Sequence, residues 1–330
     1  MDDLFENTLP QFALEYLESL QQKGRQPSTI KRYTYDLQDF FRWLYAEKNT
    51  TDFITWQSLT TVEIEQFLAI LQYKRHYKSR TMKRIITVLK QLYRYHQRLG
   101  SCKVNPVECV ITPGLNGTEM KSEDFISELE QKRLLRIMDS DDGLSENQQK
   151  ARTYLTARNK SIIYLFLYYG LTLKETANLK MKDIYFERNE LYIESTTGVS
   201  RMIAIAAGHK KLLYSYYVTI PEPVRPRYHS HDPFFVAFDF QRNTYRWMYE
   251  VDQPKALTEI AIQKMIREEI KRAGLRKGIS AQHFRHTYAL ETLKANVDPE
   301  FVLKQLGLKT PIALQRYFDY IDKEQHLSKK

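Results

Sequence analysis

The chain has 330 residues, 42% of them hydrophobic and 27% charged, which is ordinary for globular proteins and long enough for two domains. Its net charge of +10 permits a polyanionic partner without proving one. The start lacks the features of a signal peptide, the longest apolar stretch is Ile162–Tyr169, and Cys102 and Cys109 are the only cysteines. These features argue against a membrane protein and a disulfide scaffold, and they predict a cytoplasmic location.

Two amphipathic helices are predicted in the first hundred residues. PSTIKRYTYDLQDFFRWL, residues 27–44, has Ser28 as a candidate cap, and SRTMKRIITVLKQLYRYHQRL, residues 79–99, has Ser79. Each helix has one apolar side and one polar or basic side. The predicted buried positions are Ile30, Tyr33, Leu37, Phe40, Phe41 and Leu44 in the first helix, and Met82, Ile85, Ile86, Leu89, Leu92, Tyr93 and His96 in the second.

A run of positive charge lies between Gln72 and Lys103, where ten Lys or Arg residues occur without any acidic residue. A helix face that serves only solubility usually mixes charges of both signs, so this run favours a surface that faces DNA phosphates. We predict the following DNA-binding residues in this half of the chain: Lys31, Arg32, Tyr35, Lys74, Arg75, Lys78, Arg80, Lys83, Arg84, Lys90 and Arg94.

The composition changes near Asn105, where NPVECVITPGLNGTE carries two prolines and two glycines. We therefore predict a helical domain over residues 1–110, a linker over 111–124 and a second domain over 125–330. In the second domain Ser161–Tyr169 is typical of a buried helix. DIYFERNELYIES and RMIAIA predict three strands of a small antiparallel sheet, and helices are expected from Leu257 onward.

No phosphate-binding glycine loop and no metal-ligand motif occurs in the sequence, so neither a cofactor nor a metal is expected. The predicted fold class is mainly α with a small antiparallel β-sheet. The segment Pro221–Glu250 is a candidate partner surface or, alternatively, a surface loop with a hairpin. A protein or peptide antagonist is left open, and the residues do not distinguish a monomer from an oligomer.

The order of these elements resembles the tyrosine recombinases, the phage integrases and their Xer relatives, over nearly the whole chain. FALEYLESL and the two basic helices resemble the helical, SAM-like core-binding domain of that family. YYGLTLKETANLKMKDI, the sheet, ISAQHFRHTYAL and LGLKTPIALQRY resemble its catalytic domain. The resemblance implies a two-domain fold that clamps double-stranded DNA, in a bacterial or phage-encoded, nucleoid-associated protein.

The family's chemistry requires a specific set of side chains. A tyrosine attacks a DNA phosphate and becomes covalently linked to it, while two arginines hold the oxygens whose charge grows in the transition state. Arginine suits that role because its planar fork donates two parallel hydrogen bonds to phosphate. A lysine protonates the leaving oxygen, and histidines assist in proton transfer.

Four of seven family positions differ in this chain. The first arginine is replaced by Thr172, the lysine by Thr196, and two histidines by Gln282 and Leu308. The family residues that remain are Glu175, Arg285 and Tyr317. The nearby Lys174 and His283 lie out of register by about 100–200° on a helix, so neither is expected to compensate.

The retained residues have alternative interpretations. Arg285 and the adjacent His286 are predicted to contact DNA, although Arg285 would equally form an ion pair with Glu175. Tyr317 is either a former nucleophile or a packing residue of an amphipathic helix.

Loss of a transition-state arginine costs about 10³–10⁵ in rate, and loss of a general acid about 10²–10⁴. The sequence therefore predicts a protein without a catalytic set, which binds double-stranded DNA sequence-specifically and regulates transcription. The resemblance offers the recombinase-fold repressors of SPβ-type phages as a precedent for this role. The alternative is a divergent but active site-specific recombinase that uses Tyr317.

Overall fold

The computed structural model describes residues 9–110, 119–195 and 198–328, and it divides into two units, Met1–Thr118 and Glu119–Lys330. Most of the predicted linker, residues 111–118, lies outside the described residues. Residues 119–124 belong to the second unit, where Ser122–Asp124 forms a 3-10 turn.

The first unit is helical and is built around an aromatic core. Trp56 stacks on Tyr93 with ring centroids 4.1 Å apart, and the Tyr93 hydroxyl donates a hydrogen bond to the Trp56 carbonyl oxygen. Its elements are α1 Gln11–Gln22, α2 Pro27–Lys48, α3 Phe53–Gln57, α4 Thr61–Ala69, a π-helical turn Ile70–Lys74, and α5 Ser79–Arg98.

The predicted helix caps are wrong in both basic helices. α2 begins at Pro27, because proline fixes φ in the helical range and needs no hydrogen-bond acceptor at the first position. Ser28 therefore lies inside the first turn. α5 is preceded by Lys78, so Ser79 is its first helical residue, and neither helix has a side-chain cap.

The predicted buried faces of these helices are largely confirmed. Ile30, Tyr33 and Ile86 are half-buried against the core, and every other predicted position is buried. The structure adds Trp43 and Val88 to this core. It also adds one acidic side chain, Asp36, whose burial follows from an ion pair described below.

The second unit consists of helices with a small three-stranded antiparallel sheet, as predicted. The strands pair in the order β1-β2-β3, with Leu191 opposite both Ile184 and Ile203. Asn189 takes a left-handed conformation in the predicted turn. The elements up to the sheet and the helix after it are α6 Glu128–Met138, α7 Glu146–Lys150, α8 Arg152–Tyr169, α9 Leu173–Ala177, β1 Ile184–Tyr185, β2 Glu190–Ile193, β3 Arg201–Ala204 and α10 Ala207–Thr219.

The segment Pro221–Glu250 is partly a surface hairpin and partly core. β4 (Phe238–Asp239) pairs with β5 (Thr244–Tyr245), and β6 (Trp247–Met248) pairs with β7 (Gln253–Pro254). Residues 234–236 are fully buried and anchor the segment. Its role as a partner surface stays a prediction.

Four helices complete the second unit and carry the candidate site. They are α11 Glu259–Arg272, α12 Ala281–Lys294, α13 Pro299–Gln305 and α14 Ile312–Ser328, in agreement with the helical pattern predicted from Leu257 onward. α12 crosses the core between α8 and α14. Across the described ranges, no helix is long and apolar enough to cross a membrane, and no group of three His, Cys, Asp or Glu side chains could hold a metal ion.

Candidate functional site

A pocket of about 340 Å³ opens in the second unit between α9, the end of β2, α12 and the turn after α13. The predicted site residues that line it are Thr172, Glu175, Arg285 and Leu308. Thr196, the predicted position of the lost lysine, lies outside the described residues. The fold therefore brings together positions that are more than 130 residues apart in the sequence.

Thr172, which stands where the family has its first arginine, caps α9. Its hydroxyl accepts a hydrogen bond from the Glu175 amide at 3.2 Å, and the Glu175 carboxylate accepts one from the Thr172 amide at 2.7 Å. This capping box satisfies two amides at a helix start. The threonine thus has a structural role that an arginine side chain would not fill.

Glu175 is held by an arginine that the sequence analysis did not assign to the site. Arg201 donates to both carboxylate oxygens, at 2.6 and 3.3 Å, and also to the carbonyl oxygen of Gln305 at 2.6 Å. Burial alone would raise the pKa of Glu175, but Arg201 and the Thr172 amide outweigh it and hold the pKa below its ordinary value. The alternation of β3 could have indicated that Arg201 is buried, since Arg201 occupies an inward position of the strand together with Ile203.

Arg285 is also turned inward, and only 8% of it is exposed. Its guanidinium donates to the carbonyl oxygens of Gly170 and Leu306, the latter at 2.5 Å, and lies 4.0 Å from the Glu175 carboxylate. The ion pair between Arg285 and Glu175, which the sequence left open as an alternative, is therefore formed, but at the longest distance that counts as an ion pair. A contact between Arg285 and DNA stays a prediction.

Gly170 is required by the backbone at the point where it meets Arg285. It ends α8 in a left-handed conformation with φ +61°, and an added Cβ would lie 2.5 Å from Cδ1 of Tyr288. Any other residue would be strained and would clash. The Gly170-Leu171 motif thus terminates α8, and the Gly170 carbonyl oxygen accepts a hydrogen bond from Arg285.

Tyr317 is almost completely buried, with 2% of it exposed, in the cluster that joins α12, α13 and α14. Its hydroxyl lies 2.7 Å from Nδ1 of His286 and accepts a hydrogen bond from Arg316 at 3.1 Å. Burial raises the pKa of the Tyr317 hydroxyl although Arg316 opposes this effect. The hydroxyl is therefore protonated and hydrogen-bonded at neutral pH, and both interpretations of Tyr317, as a former nucleophile and as a packing residue, stay predictions.

His286 connects Tyr317 to Gln282. Its Nε2 lies 3.0 Å from the Gln282 amide nitrogen, so both ring nitrogens have partners inside the protein. Burial, followed by the nearby charge of Arg316, lowers the pKa of His286 to about 4, which makes the ring neutral at pH 7. The predicted contact between His286 and DNA stays a prediction, and it would require this chain of hydrogen bonds to open.

The remaining altered or neighbouring positions have local roles. Leu308, where the family has histidine, is half-buried and packs on the apolar cluster that contains Tyr317. His283 caps α12, because its Nδ1 lies 3.1 Å from the Ser280 amide and 2.9 Å from the Ser280 hydroxyl. The expectation that His283 does not compensate for Gln282 stays a prediction.

In the first unit, several of the predicted DNA-binding cations are paired with acids from outside the acid-free run. Arg84 makes a bidentate ion pair with the buried Asp36 at 2.7 and 2.8 Å. Lys90 and Arg94 both contact Glu108, at 3.3 and 2.6 Å. Arg75 lies 3.2 Å from Asp39. Acids from outside the run therefore neutralise part of its charge, and the DNA contacts of these residues stay predictions.

Other cations of the same face lack such partners. Within residues 9–110 they make no salt bridge to an acidic side chain, and all except the half-buried Lys83 are exposed. These residues are Lys31, Arg32, Lys74, Lys78, Arg80 and Lys83. Tyr35 is exposed as well, with 57% of its surface accessible. We call these six cations and Tyr35 the basic face of the first unit below, and their use as one DNA-binding surface stays a prediction.

Each of the two units matches a known protein family or domain. Residues 126–324 match the phage integrase family, and residues 14–100 match the phage integrase N-terminal SAM-like domain. The chain belongs to the phage integrase family. The predicted family resemblance is confirmed.

Similar members of the phage integrase family include the tyrosine recombinase XerC of Lactobacillus delbrueckii subsp. bulgaricus, 24% identical over 300 residues that cover 91% of this chain and 90% of the relative. The tyrosine recombinase XerD of Oceanobacillus iheyensis is 22% identical over 286 residues, covering 87% and 85%. These relatives are named as recombinases, and the alignment extends over nearly their whole length.

Two solved structures show the shared fold. The XerH site-specific recombinase bound to palindromic difH substrate, a post-cleavage complex, has a TM-score of 0.66 at 19% identity and covers 94% of this chain and 82% of that one. A lambda integrase dimer bound to a COC′ core site has a TM-score of 0.61 at 16% identity, covering 94% and 77%. The predicted tyrosine recombinase fold, a helical domain plus a mixed catalytic-like domain, is confirmed.

Proposed function

We propose that this member of the phage integrase family binds double-stranded DNA sequence-specifically without cleaving it, and that it acts as a transcriptional regulator such as a phage repressor. One observation carries the proposal. The arginines at the site, Arg201 and Arg285, direct their N–H groups to a carboxylate and to backbone carbonyl oxygens inside the protein. Catalysis of phosphoryl transfer needs such groups aimed at the phosphate instead.

Binding to DNA is supported separately from chemistry. The basic face supplies the sequence-independent attraction to phosphates that all DNA-binding proteins use. The similar structures named above are recombinases bound to their DNA sites. A family scaffold that keeps its cationic surface while its site is rearranged fits a binding protein better than an enzyme.

An active but divergent recombinase is the second candidate. It is favoured by the Tyr317 hydroxyl, which has hydrogen bonds to both His286 and Arg316, and by relatives that are named as recombinases. On this hypothesis, binding of DNA would have to expose the hydroxyl, and Arg316 would stabilise charge on the phosphate.

Genome-wide footprinting in the native host supplies the DNA site that both hypotheses need. A regulator is expected to occupy promoters, whereas a recombinase is expected to occupy a recombination site. The bound sequence then serves as the substrate in the two tests that follow.

A nicked suicide substrate that contains this site is expected to give no covalent protein–DNA complex on denaturing electrophoresis. An active tyrosine would be trapped, because the leaving fragment diffuses away and the phosphotyrosine bond cannot reverse. The Tyr317→Phe variant is expected to bind DNA like the wild type and to lose about 1–3 kcal/mol of stability, because the hydroxyl bonds to both His286 and Arg316. A denaturation-resistant adduct that is absent from Tyr317→Phe would replace this proposal with the recombinase hypothesis.

Replacement of Arg80 and Lys83 by alanine is expected to weaken binding to DNA and to reduce its salt dependence. The slope of log K against log salt should fall by about 0.9 for each phosphate contact that is lost. These two residues are preferable to Arg84, whose replacement would also leave Asp36 buried and unpaired.

The matched control removes the same charge from α11 of the second unit, through alanine at the exposed Arg267 and Lys271. This variant is expected to keep the wild-type salt slope in a fluorescence anisotropy titration at several salt concentrations. Equal slopes for wild type and the Arg80, Lys83 variant would exclude the basic face from the DNA interface.

A further inference from the structure

A second cavity, of about 620 Å³, lies within the second unit, away from the candidate site. It is enclosed by α8, by the strand segment from Ala237 to Leu257, and by α11. Its apolar walls are formed by Leu155, Phe238, Leu257 and Met265. A volume of this size, with apolar walls and a few polar groups, is typical of pockets that bind small molecules.

Arg158 lines this cavity and is a charged side chain that is only 4% exposed. Its Nε and Nη2 donate to the Asn159 side-chain oxygen at 3.3 and 3.2 Å, and its Nη1 donates to the Val236 carbonyl oxygen at 3.3 Å. These three bonds are long, and they leave two of the five N–H groups of a guanidinium for other acceptors. All the acceptors are neutral.

No carboxylate lies within 4.0 Å of Arg158 in the part of the second unit that the structure describes. Burial lowers the pKa of Arg158, and the phenols of Tyr216 and Tyr245 oppose this effect. An arginine nevertheless stays charged in proteins, and a buried charge without a counter-ion costs several kcal/mol. Buried ionisable groups whose pKa is strongly perturbed are found most often at functional sites.

The other charges that line the cavity are largely neutralised by one another or by neighbours. Glu269 contacts Arg272 at 2.5 Å, and Glu268 accepts from the Gln148 amide at 3.1 Å and lies 3.9 Å from Lys264. The paired cations of the rim are Arg152, which contacts Asp141 at 2.5 Å, and Arg246, which contacts Asp239 at 3.2 Å. Two lining cations have no such partner in the described residues, the buried Arg158 and the exposed Lys255.

We propose that this cavity binds a small organic carboxylate with an apolar body. The carboxylate accepts hydrogen bonds from Arg158, and the apolar part packs against Phe238, Leu257 and Met265. A carboxylate fits better than a phosphate because its single negative charge matches the single buried positive charge, and its two oxygens match the two remaining N–H groups. The inference is independent of whether the protein cleaves DNA.

Isothermal titration of the full-length protein with 4-phenylbutyrate tests the proposal, with 4-phenyl-1-butanol as the uncharged analogue and inorganic phosphate as the anion without an apolar body. The acid is expected to bind one to one. The alcohol should bind about 10- to 100-fold more weakly, because a charge-assisted hydrogen bond contributes roughly 1.5–3 kcal/mol.

The Arg158→Met variant is expected to lose binding of 4-phenylbutyrate. Without a ligand, its thermal unfolding midpoint should be equal to or higher than that of wild type, because an uncompensated buried charge is replaced by an apolar side chain of similar length. A purely structural arginine would give the opposite shift. Lys160→Met is the matched control, since Lys160 lies on the same helix and pairs with Asp139 outside the cavity.

Lys255→Met, at the exposed rim, should weaken binding several-fold without changing the midpoint, which keeps the test valid if Arg158→Met does not fold. The proposal is overturned if 4-phenylbutyrate gives no binding heat, if the alcohol binds equally well, or if Arg158→Met still binds the acid. Saturable binding of phosphate with equal affinity would overturn the assignment of an amphipathic carboxylate.

Discussion

Replacement of Glu175 by glutamine is expected to lower the free energy of unfolding of the second unit by about 3–5 kcal/mol. Glu175 is the carboxylate that faces two buried arginines, Arg201 at 2.6 Å and Arg285 at 4.0 Å. Glutamine keeps the shape of the side chain but removes the charge, so the two buried guanidiniums lose the carboxylate that neutralises them. Breaking a buried pair from one side is much more damaging than never having formed it.

Urea unfolding followed by circular dichroism would measure this effect, and hydrogen exchange in peptides from α12 would assign the transition to the second unit. The control is Glu194→Gln, an exposed residue that lines the same pocket, with an expected change within about 0.5 kcal/mol. Wild-type stability in Glu175→Gln would mean that the backbone carbonyls of Gly170, Gln305 and Leu306 compensate the arginines by themselves.

Acidification is expected to destabilise the wild-type protein more than a His286→Gln variant. The folded-state pKa of His286 is about 4, below the ordinary value of 6.5, so the unfolded chain binds the proton more readily. The contribution of this residue is therefore complete above pH 6.5 and is lost progressively as the pH falls from 6.5 towards 4. At pH 5 the loss amounts to roughly 2 kcal/mol, from 1.36 kcal/mol for each pH unit.

The measurement is the difference in unfolding free energy between pH 7 and pH 5 for each protein. Burial also lowers the pKa values of His96, His209 and His283, so only the comparison with the variant isolates His286. His231→Gln, at an exposed position, should reproduce the wild-type difference. Identical pH dependence in His286→Gln would show that burial and the charge of Arg316 do not hold the His286 ring in the neutral state.

Elements that depend on local periodicity could be predicted from the sequence. The apolar stripe of α5 and the alternation of β2 and β3 are properties of neighbouring residues, and the structure has them where the patterns indicated. Helix starts were predicted less well, because Ser28 and Ser79 are typical caps but Pro27 and Lys78 determine where the helices begin.

Four of the predicted positions, Thr172, Glu175, Arg285 and Leu308, line the candidate pocket, but the contacts among its residues could not be predicted. The family pattern indicated Glu175, Arg285 and Tyr317, yet it did not indicate that Arg201 would hold Glu175, because that pair joins two elements through the fold of the whole unit. Dependence on contacts between distant residues also explains why the pairing of the cations between Gln72 and Lys103 could not be predicted. Asp36 lies 48 residues before Arg84, so a local count of charges misses the acid that neutralises the base.

Thr172 links the start of α9 to the charge balance of the pocket, so a single substitution of arginine at this position is expected to destabilise both. An arginine at this position would remove the hydroxyl that caps α9, at a cost of about 1 kcal/mol. It would also add a third guanidinium to a site where the single carboxylate of Glu175 already neutralises two, those of Arg201 and Arg285. A gain of positive charge at this position is therefore expected to require a second cap for α9 and a second acid in the pocket before the unit regains its stability.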